Sequence, residues 1–126
     1  IKEGADFIDA NGRIVPNSRL TPPPTPPKSY SYCSDTAYTE RIIPIIEGVD
    51  TLFHEATFAE AERHRCKATL HSTASDAAHI AKMANVKQLI IGHYSARYAD
   101  LNPLLDEAKA IFPNTKLSTD GSKFSW

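Results

Sequence analysis

Cysteine is scarce, with Cys33 and Cys66 alone. Two thiols cannot build the dense disulfide framework of a small secreted scaffold, so reduced thiols in a cytoplasmic protein are expected. No apolar run approaches the ~18 residues of a membrane-spanning helix, and no secretory leader is read at the start; a membrane role is not expected. An excess of one charge is missing too. Lys and Arg number 14 against 15 Asp and Glu, a net charge of −1, which excludes a global pull on nucleic acid. Contact with RNA or DNA must come from a local group of cations or from a metal. Methionine occurs once, at Met83, and the chain opens on Ile1, the pattern expected of a piece of a longer protein.

What is present is ordinary globular material: 126 residues, 41% hydrophobic and 23% charged, within the range of one domain. Residues 1–20 form a hairpin segment, with Asn11-Gly12 as the turn between Phe7-Ile8 and Ile14-Val15. Residues 21–28 are a proline-rich connector, stiff and unable to join a helix or inner strand. Residues 29–126 alternate strands with helices. The strands are expected over Ser29–Cys33, Asp50–Phe53 and Lys87–Ile91, as near-continuous apolar runs buried on both faces. Helices are expected over Thr39–Ile46, Ala59–Cys66, from Ser72 or Thr73 to Asn85, and from an Asn102 cap to Pro113. Ala74, Ala77, Ala78, Ala81 and Ala84 give the third a small-residue stripe for close packing on a sheet. Asp120-Gly121 signals a second hairpin. The class is α/β with hairpins near both ends.

Four blocks place reactive side chains where elements end, the position at which open α/β sheets gather their chemistry. Asp35, in Ser-Asp-Thr, reads as an Asx turn or helix cap, or as a carboxylate metal ligand supported by Thr36. His93 closes a buried strand, and Ser95 and Arg97 follow it. Imidazole suits a metal, and the arginine fork suits phosphate. His71 precedes a helix start, whose free amides attract an anion, and a histidine there can donate a proton to a leaving oxygen; packing is its other reading. Glu55, beside His54, reads as the acid that orients an imidazole or as a solvated strand-end acid. Metal-assisted phosphodiester hydrolysis is the reaction class these residues point to.

Tyr32-Cys-Ser-Asp-Thr36, His54-Glu-Ala-Thr-Phe58, His71-Ser-Thr-Ala74 and Gly92-His-Tyr-Ser-Ala-Arg-Tyr98, in this order, resemble the C-terminal half of ribonuclease Z, a tRNA 3′ processing endonuclease family of the metallo-β-lactamase superfamily. The resemblance runs from about Gly4 to Phe124. It implies the second half of an αβ/βα sandwich, with precursor tRNA as substrate. Asp35 would bridge two zinc ions and His93 would bind one of them. His71, helped by Glu55, would protonate the 3′ leaving oxygen. Arg97, with Ser95 beside it, would grip the phosphate, and His54 and Thr36 would support the site. The family's His-x-His-x-Asp-His segment has no counterpart here, since no two histidines lie two apart and no Asp-His pair occurs. The remaining ligands would lie in an N-terminal half that also covers one sheet face, and the chain alone would be inactive and self-associate, as a homodimer. Two rival expectations are another metallo-β-lactamase-type phosphodiesterase and a non-catalytic binding or assembly domain.

Overall fold

Asn11-Gly12 turns the chain as its residue types require. In the computed structural model, which describes residues 2–21 and 25–125, Gly12 sits at φ +78°. The Asp9 carboxylate accepts the amides of Asn11 and Arg13. Strand β1 (Phe7–Ile8) thereby pairs antiparallel with β2 (Ile14–Val15). A one-turn helix, α1 (Asn17–Leu20), follows. Pro22, Pro23 and Pro24 of the connector lie outside the described residues, as does Trp126 at the end of the expected last hairpin.

The main sheet is built from β3 (Tyr30–Cys33), β4 (Thr51–Glu55), β5 (Gln88–Gly92) and β6 (Thr115–Leu117), all parallel and in sequence order. Each crossover moves one strand further in the same direction. Right-handed crossovers then place every connecting helix on one face. The first crossover holds a 3-10 turn at Glu40–Ile42 leading into α2 (Ile43–Ile46); Pro44 in its first turn explains why the expected Thr39–Ile46 helix is split. The second holds a 3-10 stretch at Glu60–Arg65, α3 (Cys66–Thr69) and α4 (Ala74–Met83). Thr73 caps α4 in a full capping box with Asp76, and Asn85 leaves it at φ +50°. The third holds α5 (Asn102–Ile111), with Leu101 at the cap position and the Asp100 carboxylate accepting the Asn102 amide. Asn102 is thus the first helical residue, not the cap.

Strand alternation sorts the side chains. Leu52, Leu89 and Ile91 point to the helices and join the core with Ile80, Leu104 and the five alanines of the expected stripe, all fully buried. The intervening residues lie on the other face, which no helix covers among the described residues. Tyr30 and Tyr32 there are 49% and 65% exposed, so β3 is not buried on both faces as its composition led one to expect. Tyr32 stacks on Phe53 with ring centroids 4.6 Å apart. The C-terminal tail crosses this face. Asp120-Gly121 makes a turn, with Gly121 at φ +79° and the Ser122 amide donating to the Thr119 carbonyl. No strand follows it among the described residues, so the second hairpin does not form. Instead Ser118, Thr119, Ser122 and Phe124 wall a cleft of about 300 Å³ over Tyr30, Tyr32, Phe53 and Ile90.

Gly92 is required where tail and sheet meet. A Cβ there would lie 2.6 Å from the Phe53 ring and 2.6 Å from the Ser118 hydroxyl. Gly92→Ala is expected to lose about 1–3 kcal/mol of stability, the usual cost of overfilling a packed site, read as a lowered thermal midpoint. An unchanged midpoint would mean that the Phe53 ring yields freely.

Candidate functional site

Three strands and one helix bring their ends together at the C-terminal edge of the sheet. Asp35 comes two residues after β3, Glu55 ends β4, His93 follows β5, and His71 precedes the α4 cap. One nitrogen or oxygen from each of Asp35, His71 and His93 lies within 4.8 Å of the others. His93 Nε2 is 3.4 Å from Asp35 Oδ1, and the His71 and His93 rings are 5.2 Å apart. Both Asp35, at φ +50°, and His93, at φ +58°, hold the left-handed conformation, as does Leu70 directly before His71 at φ +58°. A left-handed backbone is uncommon away from glycine and gathers at functional sites. Asp35 and His93 are exposed and His71 partly so. The cluster is therefore open to a ligand.

Glu55 is the hub beneath it. Its carboxylate is fully buried and accepts from four groups. Oε1 takes the Thr36 amide at 2.6 Å and His71 Nδ1 at 3.0 Å. Oε2 takes the Thr57 hydroxyl at 2.7 Å and the Ser72 amide at 3.1 Å. Burial alone would raise the Glu55 pKa. The hydrogen bonds from His71, Thr57, Ser72 and Thr36 outweigh it and hold the carboxyl below its ordinary value. With His71 Nδ1 engaged, Nε2 remains for a ligand or substrate. The loops carrying these donors are fixed to each other: Phe58 and Thr73 form a parallel bridge, and the Ser72 hydroxyl donates to the Thr36 carbonyl at 2.6 Å.

Other expected site residues stand differently. His54 adjoins Glu55 in the strand, so it points to the opposite, helix-covered face. It is 1% exposed, and its Nδ1 meets the Glu55 carbonyl at 2.8 Å. Burial lowers its pKa and keeps it neutral; it is a core histidine and no support for the cluster. Thr36 does support Glu55, through its backbone amide, its hydroxyl being turned to the Ala37 carbonyl. Ser95 accepts from Arg97 Nε at 2.9 Å. Arg97 also donates from Nη1 to Glu62 at 3.2 Å and lies 5.6 Å over the Phe58 ring. The Phe58 ring in turn meets His71 edge-on at 6.4 Å. Two of the first-turn amides expected to draw an anion toward His71 are already taken: Ala74 donates to the Phe58 carbonyl and Asp76 to the Thr73 hydroxyl. Thr57 was not singled out from the sequence and Ser72 only as a possible helix cap, although both lie inside the quoted blocks.

The donor set fits a divalent metal: a carboxylate and two imidazoles, with a buried acid orienting one ring from behind. No protein-family model matches the chain. A ribonuclease Z from Parabacteroides distasonis is 59% identical over 125 residues, covering 99% of this chain and 41% of that protein. Over its length the chain is similar to the C-terminal portion of ribonuclease Z. It spans about two fifths of the curated relatives it matches, which are 46–59% identical to it. Among solved structures, the metallo-β-lactamase fold protein YhfI from Bacillus subtilis is 26% identical with a TM-score of 0.66, over 72% of this chain and 37% of that one. The short form of human tRNase Z is 29% identical with a TM-score of 0.52, over 66% and 27%. The parallel sheet with helices on one face is thus part of a metallo-β-lactamase fold. No described helix is long and apolar enough to cross a membrane.

Proposed function

We propose that this chain is the C-terminal part of a zinc-dependent endoribonuclease that cleaves precursor tRNA on its 3′ side. The observation that carries the reading is the convergence of Asp35, His71 and His93 over the buried Glu55, in a stretch 59% identical to a ribonuclease Z. Asp35 and His93 hold the metal, which when bound supplies Lewis acidity toward the phosphodiester and a nucleophile at neutral pH. His71, held at Nδ1 by Glu55, donates a proton from Nε2 to the 3′ leaving oxygen. Arg97 grips the substrate phosphate with its fork, exchanging Glu62 for it, while Ser95 steadies the guanidinium. The remaining ligands come from the N-terminal half of the same fold. Two free thiols, Cys33 and Cys66, accord with work in the cytoplasm.

The test is cleavage of precursor tRNA by the purified full-length protein with zinc, expected on the 3′ side of the discriminator base. The chain alone should give none; cleavage by it above a metal-only control would mean that the site is complete within it. The second reading is another phosphodiesterase of the same fold, since the cluster of Asp35, His71 and His93 by itself selects no particular phosphodiester. Hydrolysis of a small phosphodiester with tRNA left intact would establish that one.

The uncovered sheet face bears on assembly. Tyr30, Tyr32 and Phe53 form an apolar strip there, and β3 leaves an open edge. In the whole protein the N-terminal half covers them. Alone, the chain is expected to associate with a second copy, since such patches and edges drive pairing. Sedimentation at micromolar concentration checks this, and a clean monomer would show that the tail suffices to cover the face.

A further inference from the structure

Thr57 lies between the two histidines of the site, and its hydroxyl touches three groups. Oγ1 is 2.7 Å from Glu55 Oε2, 2.9 Å from the His93 carbonyl oxygen and 3.0 Å from His93 Nδ1. A hydroxyl has one proton to donate and lone pairs with which to accept. The carboxylate and the carbonyl can only accept, so they compete for that proton. The Glu55 contact is the shortest and is charge-assisted. His93 Nδ1 is the one partner able to donate, and the hydroxyl is left to accept from it.

We propose that Thr57 is a positioning residue that fixes His93 as its Nδ1–H tautomer, so that the single carboxylate of Glu55 orients both imidazoles, His71 directly and His93 through the hydroxyl. Nε2 of His93 then carries its lone pair toward Asp35 Oδ1, 3.4 Å away. Two electron-rich atoms facing each other at that distance make a place for a cation. Thr57 is buried, and its carbonyl accepts the Ser95 amide at 3.1 Å, so the loop after His93 is clamped to the same residue from both sides. The tautomer follows from the hydrogen bonds alone; its consequence for metal affinity rests on the proposed metal site.

The experiment has two arms. Long-range proton–nitrogen NMR of the histidine-labelled full-length protein stripped of metal, at about pH 8 where imidazole is neutral, reads the tautomer of each ring. His93 is expected as Nδ1–H in the wild type and in Thr57→Ser, and to lose that pattern in Thr57→Val while His71 keeps its own. Wild-type His93 found as Nε2–H would overturn the proposal, whether or not the valine variant folds. So would a folded Thr57→Val with the wild-type pattern. In the second arm, cobalt(II) affinity of the full-length protein should fall about 10–100-fold in Thr57→Val, the usual effect of losing a ligand's outer partner, and be restored in Thr57→Ser. A wild type with the expected tautomer but no cobalt affinity would support the positioning role and overturn the metal reading.

Discussion

Asp35→Asn in the full-length protein is expected to lose bound metal and cleavage together. Asparagine tolerates the left-handed backbone as well as aspartate does, so the turn at φ +50° is kept and only the charge goes. The Asp35 side chain is 73% exposed and faces His93 Nε2. Among the described residues its carboxylate meets no other side chain at hydrogen-bond or ion-pair distance. Folding therefore depends on it little, and the metal-free variant should unfold within about 1 kcal/mol of the metal-free wild type, as surface substitutions usually do. Metal affinity should fall by more than about 10²-fold, beyond the loss of an outer-shell partner, because the anionic ligand itself is gone. Metal analysis after gel filtration, with thermal unfolding of the stripped proteins beside it, separates the two effects. Retention of the full metal complement by Asp35→Asn would leave Asp35 as a turn residue and nothing more.

Much of this was legible in the sequence, for local reasons. The apolar runs around Leu52 and around Leu89–Ile91 form the central strands. Thr73 with Asp76 three residues on marks the α4 start, since a capping box is a short-range device. Asp35, Glu55, His71 and His93 stood out because each sits at an element's end, and elements of an open parallel sheet end on one side. The failures are non-local. Asp120-Gly121 is a genuine turn, but a hairpin also needs two strands free to pair. Here β6 is already paired with β5, and Phe124 instead walls the apolar cleft beside Tyr30, Tyr32 and Phe53. Thr57 looks like any strand-end threonine until His93, 36 residues away, is placed against it. The ion pair of Arg97 with Glu62, 35 residues apart, was hidden in the same way. His54 was a different case. Adjacent strand residues face opposite ways, so only one of His54 and Glu55 could join the site, and the pleat already present in the sequence pattern held that answer.

His71→Ala in the full-length protein should leave metal bound while slowing turnover about 10²–10⁴-fold, the usual worth of a general acid. The geometry makes this the sharpest test of how the three side chains divide their roles. His71 belongs to the same 4.8 Å set as Asp35 and His93, and a buried carboxylate behind an imidazole is equally what a metal-ligating histidine has. The two roles differ in what remains after truncation. If His71 is the acid, Asp35 and His93 still hold their metal, and Thr36, Thr57 and Ser72 still donate to Glu55. The lost hydrogen bond then costs about 1–3 kcal/mol of stability, and the rate loss should shrink for a substrate whose leaving oxygen needs no proton. If His71 is a ligand, the metal goes with it, and activated and ordinary substrates suffer alike. Metal content and the ratio of the two rates therefore decide together. Loss of metal with no relief from an activated leaving group would move His71 from proton donor to ligand, with Glu55 as the carboxylate that orients it.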